Sequence, residues 1–322
     1  MTDSVEENNV HWADEAEAIK SNKPLKFVLI LFKLLPTFLI HIFCYPVAFF
    51  FFIFVSHARH DAREYQKRLK EYTDGKVPAK IRGFRQILSF SLCVLEKMEG
   101  WLGKVRFDRI QYQNDDVEDI LQRLKEGKGA LLLTSHLGNM ELLRSLQDYN
   151  TQLCGRVVPV VVVMDMKVSE QFTNTMKEIN PNYSVNIVNA SDIGPDSMIY
   201  LQEQAEQGAL IVIAGDRTSA NNRDKVIVKD FLGKPASFPY GVFLLLALMK
   251  IPVYYMFGMR SKMSPFNPKY NIYIEKSKID FNCLRSEREA RINDCCGEFV
   301  EKLEKFCKLY PYQWYNFFNF WN

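Results

Sequence analysis

Residues 130–141 read Ala130-Leu131-Leu132-Leu133-Thr134-Ser135-His136-Leu137-Gly138-Asn139-Met140-Glu141, an apolar run that gives way to a polar loop and then a helix start. The uncharged run from Ala130 to Thr134 has the length and composition of a buried strand. Gly138-Asn139 then breaks it, Asn139 is a favoured helix cap, and Met140-Glu141-Leu142-Leu143 opens a helix. A buried strand passing into a helix through a short polar loop is half of a strand-helix-strand unit.

The same alternation extends outward. Residues 114–126 place Val117, Ile120, Leu121 and Leu124 at helical spacing and stop at Gly127, which predicts an amphipathic helix capped by Asn114 or Asp115. Further strand-like runs are Val157–Met164, Val185–Val188, Ala209–Ala214, Pro252–Met259 and Asn271–Glu275. Helical stretches fall near 140–149, 168–179, 196–207 and 239–250, and 285–309 reads as a final amphipathic helix. Strand and helix in turn predict an α/β fold with a mostly parallel central sheet covered by helices on both faces.

The chain has 322 residues, 48% of them hydrophobic and 25% charged, enough to bury a substantial core. Forty-one Lys and Arg against 38 Asp and Glu leave a net charge of only +3, which does not mark a nucleic-acid binder. The seven cysteines lack C-x-x-C spacing and their one close pair is the adjacent Cys295-Cys296, suiting neither a zinc site nor a disulfide framework. They read as reduced thiols of a cytoplasmic domain.

Residues 1–24 form a polar, acidic segment without the basic start of a secretory signal. Residues 25–58 form a membrane-associated segment, because Leu34–Val55 carries no formal charge. As a helix that stretch would span about 33 Å, enough to cross a bilayer. Pro36 and Pro46 each remove a backbone donor, so a bent or partly embedded helix is equally compatible. Basic residues crowd the C-terminal side, with Arg59, Arg63, Lys67, Arg68 and Lys70 among them, which places residue 59 onward in the cytoplasm or against anionic lipid. A buried core helix followed by a solvated basic one would read the same way. Residues 59–322 then form the folded domain that holds any active site.

In an open parallel sheet, ligands bind beyond the carboxyl ends of the strands. His136 lies at such an end and Glu141 falls in the first turn of the next helix. From there a carboxylate can hold one imidazole nitrogen and leave the other to accept a proton from a hydroxyl. The site has a base without its own nucleophile. With five His and 38 acids, this spacing arises by chance about 0.6 times in such a chain, so its position between strand and helix carries the argument. A histidine that merely ends a strand would give the same pattern. A second strand end, Ala214-Gly215-Asp216-Arg217-Thr218, presents a charge pair that either anchors its loop or offers a cation to a phosphate or oxyanion. Arg217, Arg223, Lys225, Lys229 and Lys234 add a basic rim.

Taken in order, Ser135-His136 through Glu141, Gly215-Asp216-Arg217, Phe231-Leu232-Gly233-Lys234-Pro235-Ala236 with Pro239 and Gly241, and Arg260 resemble the late acyltransferases of lipid A biosynthesis. These are a branch of the lysophospholipid acyltransferase superfamily, and the resemblance extends to His11-Trp12-Ala13. Two departures stand out: Phe-Leu-Gly replaces the usual Phe-Phe-Gly, and the Pro-Glu-Gly-Thr block of glycerol-phosphate acyltransferases is absent. The aromatic ending from Tyr310 to Trp321 is similar to a subgroup found with aryl-polyene gene clusters. Those rings either sit at the lipid headgroups or cover the sheet.

The resemblance implies an enzyme at the cytoplasmic face of the inner membrane that moves an acyl chain from acyl-carrier protein to a lipid or lysolipid hydroxyl. His136 would be general base, Glu141 its orienting partner, and Asp216 with Arg217 a wall that positions acceptor or stabilises an oxyanion. Asn139, Arg217, Arg223, Lys234 and Arg260 would bind substrate. Neither metal nor cofactor is implied, and no nucleic-acid partner. A lysophospholipid acyltransferase, or a membrane-anchored protein that only binds lipid or carrier protein, are the alternatives.

Overall fold

The computed structural model describes residues 30–32, 34–102, 107–113, 116–140, 142, 154–165, 186–218 and 225–321. Ahead of the sheet, the described residues include α1 (Thr37–Phe54), α2 (Ser56–Tyr72) and α3 (Gly83–Trp101). There follow β1 (Ile110–Tyr112), α4 (Asp116–Lys125), β2 (Ala130–Thr134), β3 (Val160–Met164), β4 (Asn186–Asn189), α5 (Pro195–Glu206) and β5 (Leu210–Ala214). The chain closes with β6 (Val226–Phe231), β7 (Lys234–Pro239), α6 (Tyr240–Met249), β8 (Val253–Lys262), β9 (Lys269–Lys276) and α7 (Arg288–Leu309).

Seven strands form one sheet in the order β1-β9-β8-β2-β5-β3-β4. Every neighbouring pair is parallel except β8 and β9. The mostly parallel sheet with flanking helices expected from the sequence is therefore present. Its centre is β2, whose side chains alternate between two cores. Leu132 packs with Val117, Ile120 and Leu124 of α4, while Leu131 and Leu133 pack on the side of α6 and α7 with Phe243, Phe299 and Phe306. All three leucines are fully buried, each contributing about 1.5–3 kcal/mol of transfer free energy. A strand covered on both faces has no polar alternation, and for that reason it reads as a plain apolar run.

The expected elements that fall on described residues appear within a few residues of their predicted limits. The helices expected near 140–149 and 168–179, the cap at Asn114 or Asp115, and residues 1–24 lie outside the described residues. The separate antiparallel hairpin of β6 and β7 was not expected. Its two-residue turn, Leu232-Gly233, has φ of +51° and +77°, the paired left-handed geometry that joins twisted strands tightly. Nor were α2 and α3 anticipated as helices packed on the domain. The buried stripe of α2 is Ala58, Ala62, Tyr65, Gln66 and Leu69, helically spaced but made of two alanines and a glutamine beside Tyr65 and Leu69, which weakens the hydrophobic signal.

The apolar segment forms α1, which runs through Pro46 and starts after Pro36, whose missing N–H costs nothing at that end. It is long and apolar enough to cross a membrane, and its buried side comprises Ile40, His41, Cys44 and Ala48.

Candidate active site

Register brings the site together. Thr134 of β2 pairs with Ala214 of β5, so two residues beyond the last paired position His136 and Asp216 leave adjacent strands side by side. The His136 backbone N–H donates to Asp216 Oδ2 at 2.9 Å, and His136 Nδ1 lies 2.9 Å from Asp216 Oδ1. Asp216 is buried, whereas the imidazole keeps 28% of its side-chain surface exposed. Among the described residues no hydrogen bond engages Nε2.

Asp216 is held from a third direction by the C-terminal tail. Asn316 Nδ2 donates to Asp216 Oδ2 at 3.0 Å, and Asn316 Oδ1 accepts from Arg217 Nε at 2.7 Å. Arg217 also donates through Nη2 to the Tyr315 carbonyl at 3.2 Å. The tail runs as a strap along the loop after β2: Gly138 N–H donates to the Gln313 carbonyl, and Tyr315 N–H donates to the His136 carbonyl. Trp314 and Tyr315 are buried beneath it, so this part of the aromatic ending covers the sheet and the site loop.

Gly138 has φ of +81°, and a Cβ there would sit 2.3 Å from the Gly258 carbonyl oxygen. Only glycine allows the loop to approach β8 this closely. The approach lets Asn139 N–H donate to that carbonyl at 2.7 Å. Beneath the loop, Asn139 Nδ2 donates to Glu96 Oε2 at 3.1 Å, and Glu96 forms a buried ion pair with Arg260. Gln313 closes the group by exchanging two hydrogen bonds with the Arg260 backbone.

The electrostatics assign the roles within the pair. Burial lowers the His136 pKa below its ordinary value, with the Arg217 cation adding to this and the Asp216 carboxylate opposing it. Lys97 pushes in the same direction as Arg217. For Asp216, burial raises the pKa, but His136, the hydrogen bonds and Arg217 outweigh it and hold the carboxyl below the usual range. Asp216 is thus ionised and His136 neutral at rest. An ionised carboxylate accepts from Nδ1–H, which puts the imidazole lone pair on Nε2. The arrangement can take a proton from a hydroxyl at Nε2 and stabilise the resulting imidazolium.

Several expectations need correction. Among the described residues, the acid that holds the His136 ring is Asp216, from the neighbouring strand. Glu141, expected in that place, lies outside the described residues, as does Arg223. Asp216 has both oxygens turned on protein donors, so it orients the histidine and does not form a substrate-facing wall. Arg260 was expected on substrate, yet it is buried with Glu96, and Asn139 is buried with the same carboxylate. Both shape the loop from within. Lys234 is exposed at the β6–β7 turn, and among the described residues no hydrogen bond or ion pair joins it to the site. Among the described residues, Arg217 is the one expected binding residue that stands beside the pair. Sequence reading missed Asn316, Gln313 and Glu96; their signal was polar side chains set within apolar or aromatic runs. Among the described residues, no three His, Cys, Asp or Glu side chains form a metal-binding group.

Neither a scan against protein-family profiles nor a search of curated protein sequences returns a match to this chain.

Proposed function

We propose that the chain is an O-acyltransferase that moves a fatty acyl group from an acyl thioester, on acyl-carrier protein, to a hydroxyl of a membrane lipid. The observation that carries this reading is the His136–Asp216 pair at the carboxyl ends of two central parallel strands, with no hydrogen bond on Nε2 among the described residues. No serine or cysteine is hydrogen-bonded to that imidazole among the described residues, which suits a reaction whose nucleophile is the acceptor alcohol. His136 takes the alcohol proton as the oxygen attacks the thioester carbonyl. The tetrahedral intermediate then collapses, expelling the thiolate, which is protonated by the imidazolium.

Asp216 fixes the tautomer that presents the Nε2 lone pair and stabilises the transient imidazolium. Asn316 and Arg217 keep Asp216 ionised and aimed. Arg217 lies near enough to supply positive potential to an acceptor phosphate or to the developing oxyanion. The sequence resemblance to the lipid A acyltransferases and the apolar α1 favour a lipid acceptor at the cytoplasmic face of the inner membrane. The lysophospholipid reading differs only in acceptor and uses the same chemistry.

The test is transfer of label from radiolabelled acyl-carrier protein to a crude lipid extract. The wild-type chain should give a labelled lipid, and His136→Ala should transfer at least about a thousandfold more slowly with its far-UV circular dichroism unchanged. A His136→Ala variant with near-normal transfer would remove the mechanism. A folded wild-type chain that labels no lipid would favour the binding-protein alternative.

A further inference from the structure

Helix α1 is held against the catalytic domain along most of its length. Phe38 stacks on Phe266 with ring centroids 5.7 Å apart, and His41 Nε2 lies 2.6 Å from Glu99 Oε1. Tyr45 donates its hydroxyl to the Met263 carbonyl at 3.1 Å, and Cys44 and Ala48 pack with Leu88 and Leu92 of α3. Phe49 and Phe52 meet Phe84 edge-on at 6.0 and 5.7 Å. From Phe38 to Phe52 these contacts cover about 21 Å of helix axis.

Helix α3 is in turn tied to the site strap. Gln86 donates to the Trp314 carbonyl at 2.6 Å, Ser89 and Tyr315 share a hydroxyl hydrogen bond of 2.7 Å, and Glu96 pairs with Arg260. An α1 that crossed the hydrocarbon, roughly 30 Å thick, would draw Glu96, Glu99 and the end of β8 into it. The other side of α1 is open. Phe43, Val47, Phe50 and Phe54, spaced i, i+4, i+7 and i+11, are 58%, 64%, 59% and 78% exposed, and Phe266 extends the surface at 64%. Cations border its C-terminal end: Arg59 donates to the Phe52 and Ile53 carbonyls, Arg63 lies over the Phe52 ring, and Arg82 and Arg85 are exposed where α3 begins.

We propose that α1 lies in the plane of the membrane, seated in one leaflet of anionic lipid and not crossing it. One face of the helix is satisfied by protein, the other by acyl chains, and the arginines at its end meet lipid phosphates. The seat also places the site. β8 runs parallel to β2, its Gly258 carbonyl holds the loop after His136, and its far end leads into the loop bearing Met263 and Phe266. The strand ends that carry His136 and Asp216 thus share an edge with the seat. Resting on the reaction proposed above, this lets a lipid hydroxyl reach Nε2 from the leaflet.

Two experiments on the full chain test the seat. In a background with Cys93, Cys154 and Cys283 changed to Ser, Ser21→Cys and Ser56→Cys flank α1. A membrane-impermeant maleimide should label both in inverted vesicles and neither in intact spheroplasts. Labelling from opposite faces would overturn the proposal. In vesicle flotation, the purified chain should bind phosphatidylglycerol vesicles more strongly than phosphatidylcholine vesicles, with the difference reduced by salt. V47D/F50D should weaken binding at least about tenfold with its helix content unchanged. Equal binding of the two lipids, or no effect of V47D/F50D, would contradict it. Neither readout involves acyl transfer, so the seat and the reaction stand or fall separately.

Discussion

Asp216→Asn isolates the part of the site that sequence spacing assigned elsewhere. The carboxylate receives three hydrogen bonds: His136 N–H and Asn316 Nδ2 on Oδ2, and His136 Nδ1 on Oδ1. An asparagine amide oxygen can keep the first two, and its NH2 group then faces Nδ1. Two donors cannot share that position, so the imidazole shifts its proton to Nε2 and ceases to be a base. The attraction between carboxylate and imidazolium is lost as well. At an effective dielectric constant near 20 and about 4 Å between charge centres this is about 4 kcal/mol, or roughly a thousandfold in rate. With the wrong tautomer included, kcat should fall about 10³ to 10⁴-fold. Because the amide is isosteric, the fold should persist. Initial rates of label transfer from acyl-carrier protein measure the effect beside a thermal melt. A loss under about tenfold with an intact melt would refute the role given to Asp216.

Other perturbations read different parts of the site. Since burial and Arg217 hold His136 below its ordinary pKa of 6.5, kcat should stay level below that pH and decline as pH falls through the lowered value. Arg217→Gln should move this acid limb upward, and an unmoved limb would deny the electrostatic coupling. Asp216 has its folded pKa below the ordinary 3.8, so its stabilisation is complete above that value and is lost as pH falls through the folded pKa. Asp216→Asn should therefore flatten the stability profile in that acid window, as followed by chemical denaturation. Gly138→Ala must push the loop off the Gly258 carbonyl, and should lower kcat at least about tenfold while helix content is kept. Glu96→Ala strands a buried Arg260 and should cost about 3–5 kcal/mol of unfolding free energy. A denaturation midpoint like that of wild type would show that the pair does not hold the loop.

Much of the sheet was legible because its strands are short apolar runs between turn signals, and β2 appears at the limits read from the residues. The position of His136 was legible for the same reason. Its partner was not. Spacing along the chain points to Glu141, five residues on, whereas the strand order that sets β2 beside β5 brings Asp216 to the ring from 80 residues away. Such pairing depends on topology, which local periodicity does not encode. The strap was hidden differently. An aromatic tail can meet lipid or protein equally well, and only the polar Gln313 and Asn316 within it mark it as a wall of the site. Arg260 and Asn139 were misread because a charged or polar residue after a strand looks the same whether it faces a ligand or a buried acid such as Glu96.

The proposed reaction requires His136 to act as a base toward a lipid alcohol. The decisive measurement is lipid mass spectrometry of cells carrying the wild-type chain, His136→Ala, or neither. The wild-type chain should produce a lipid species heavier by one acyl group, absent from the other two. The same species in His136→Ala cells at wild-type abundance, with the protein present at equal level, would contradict it.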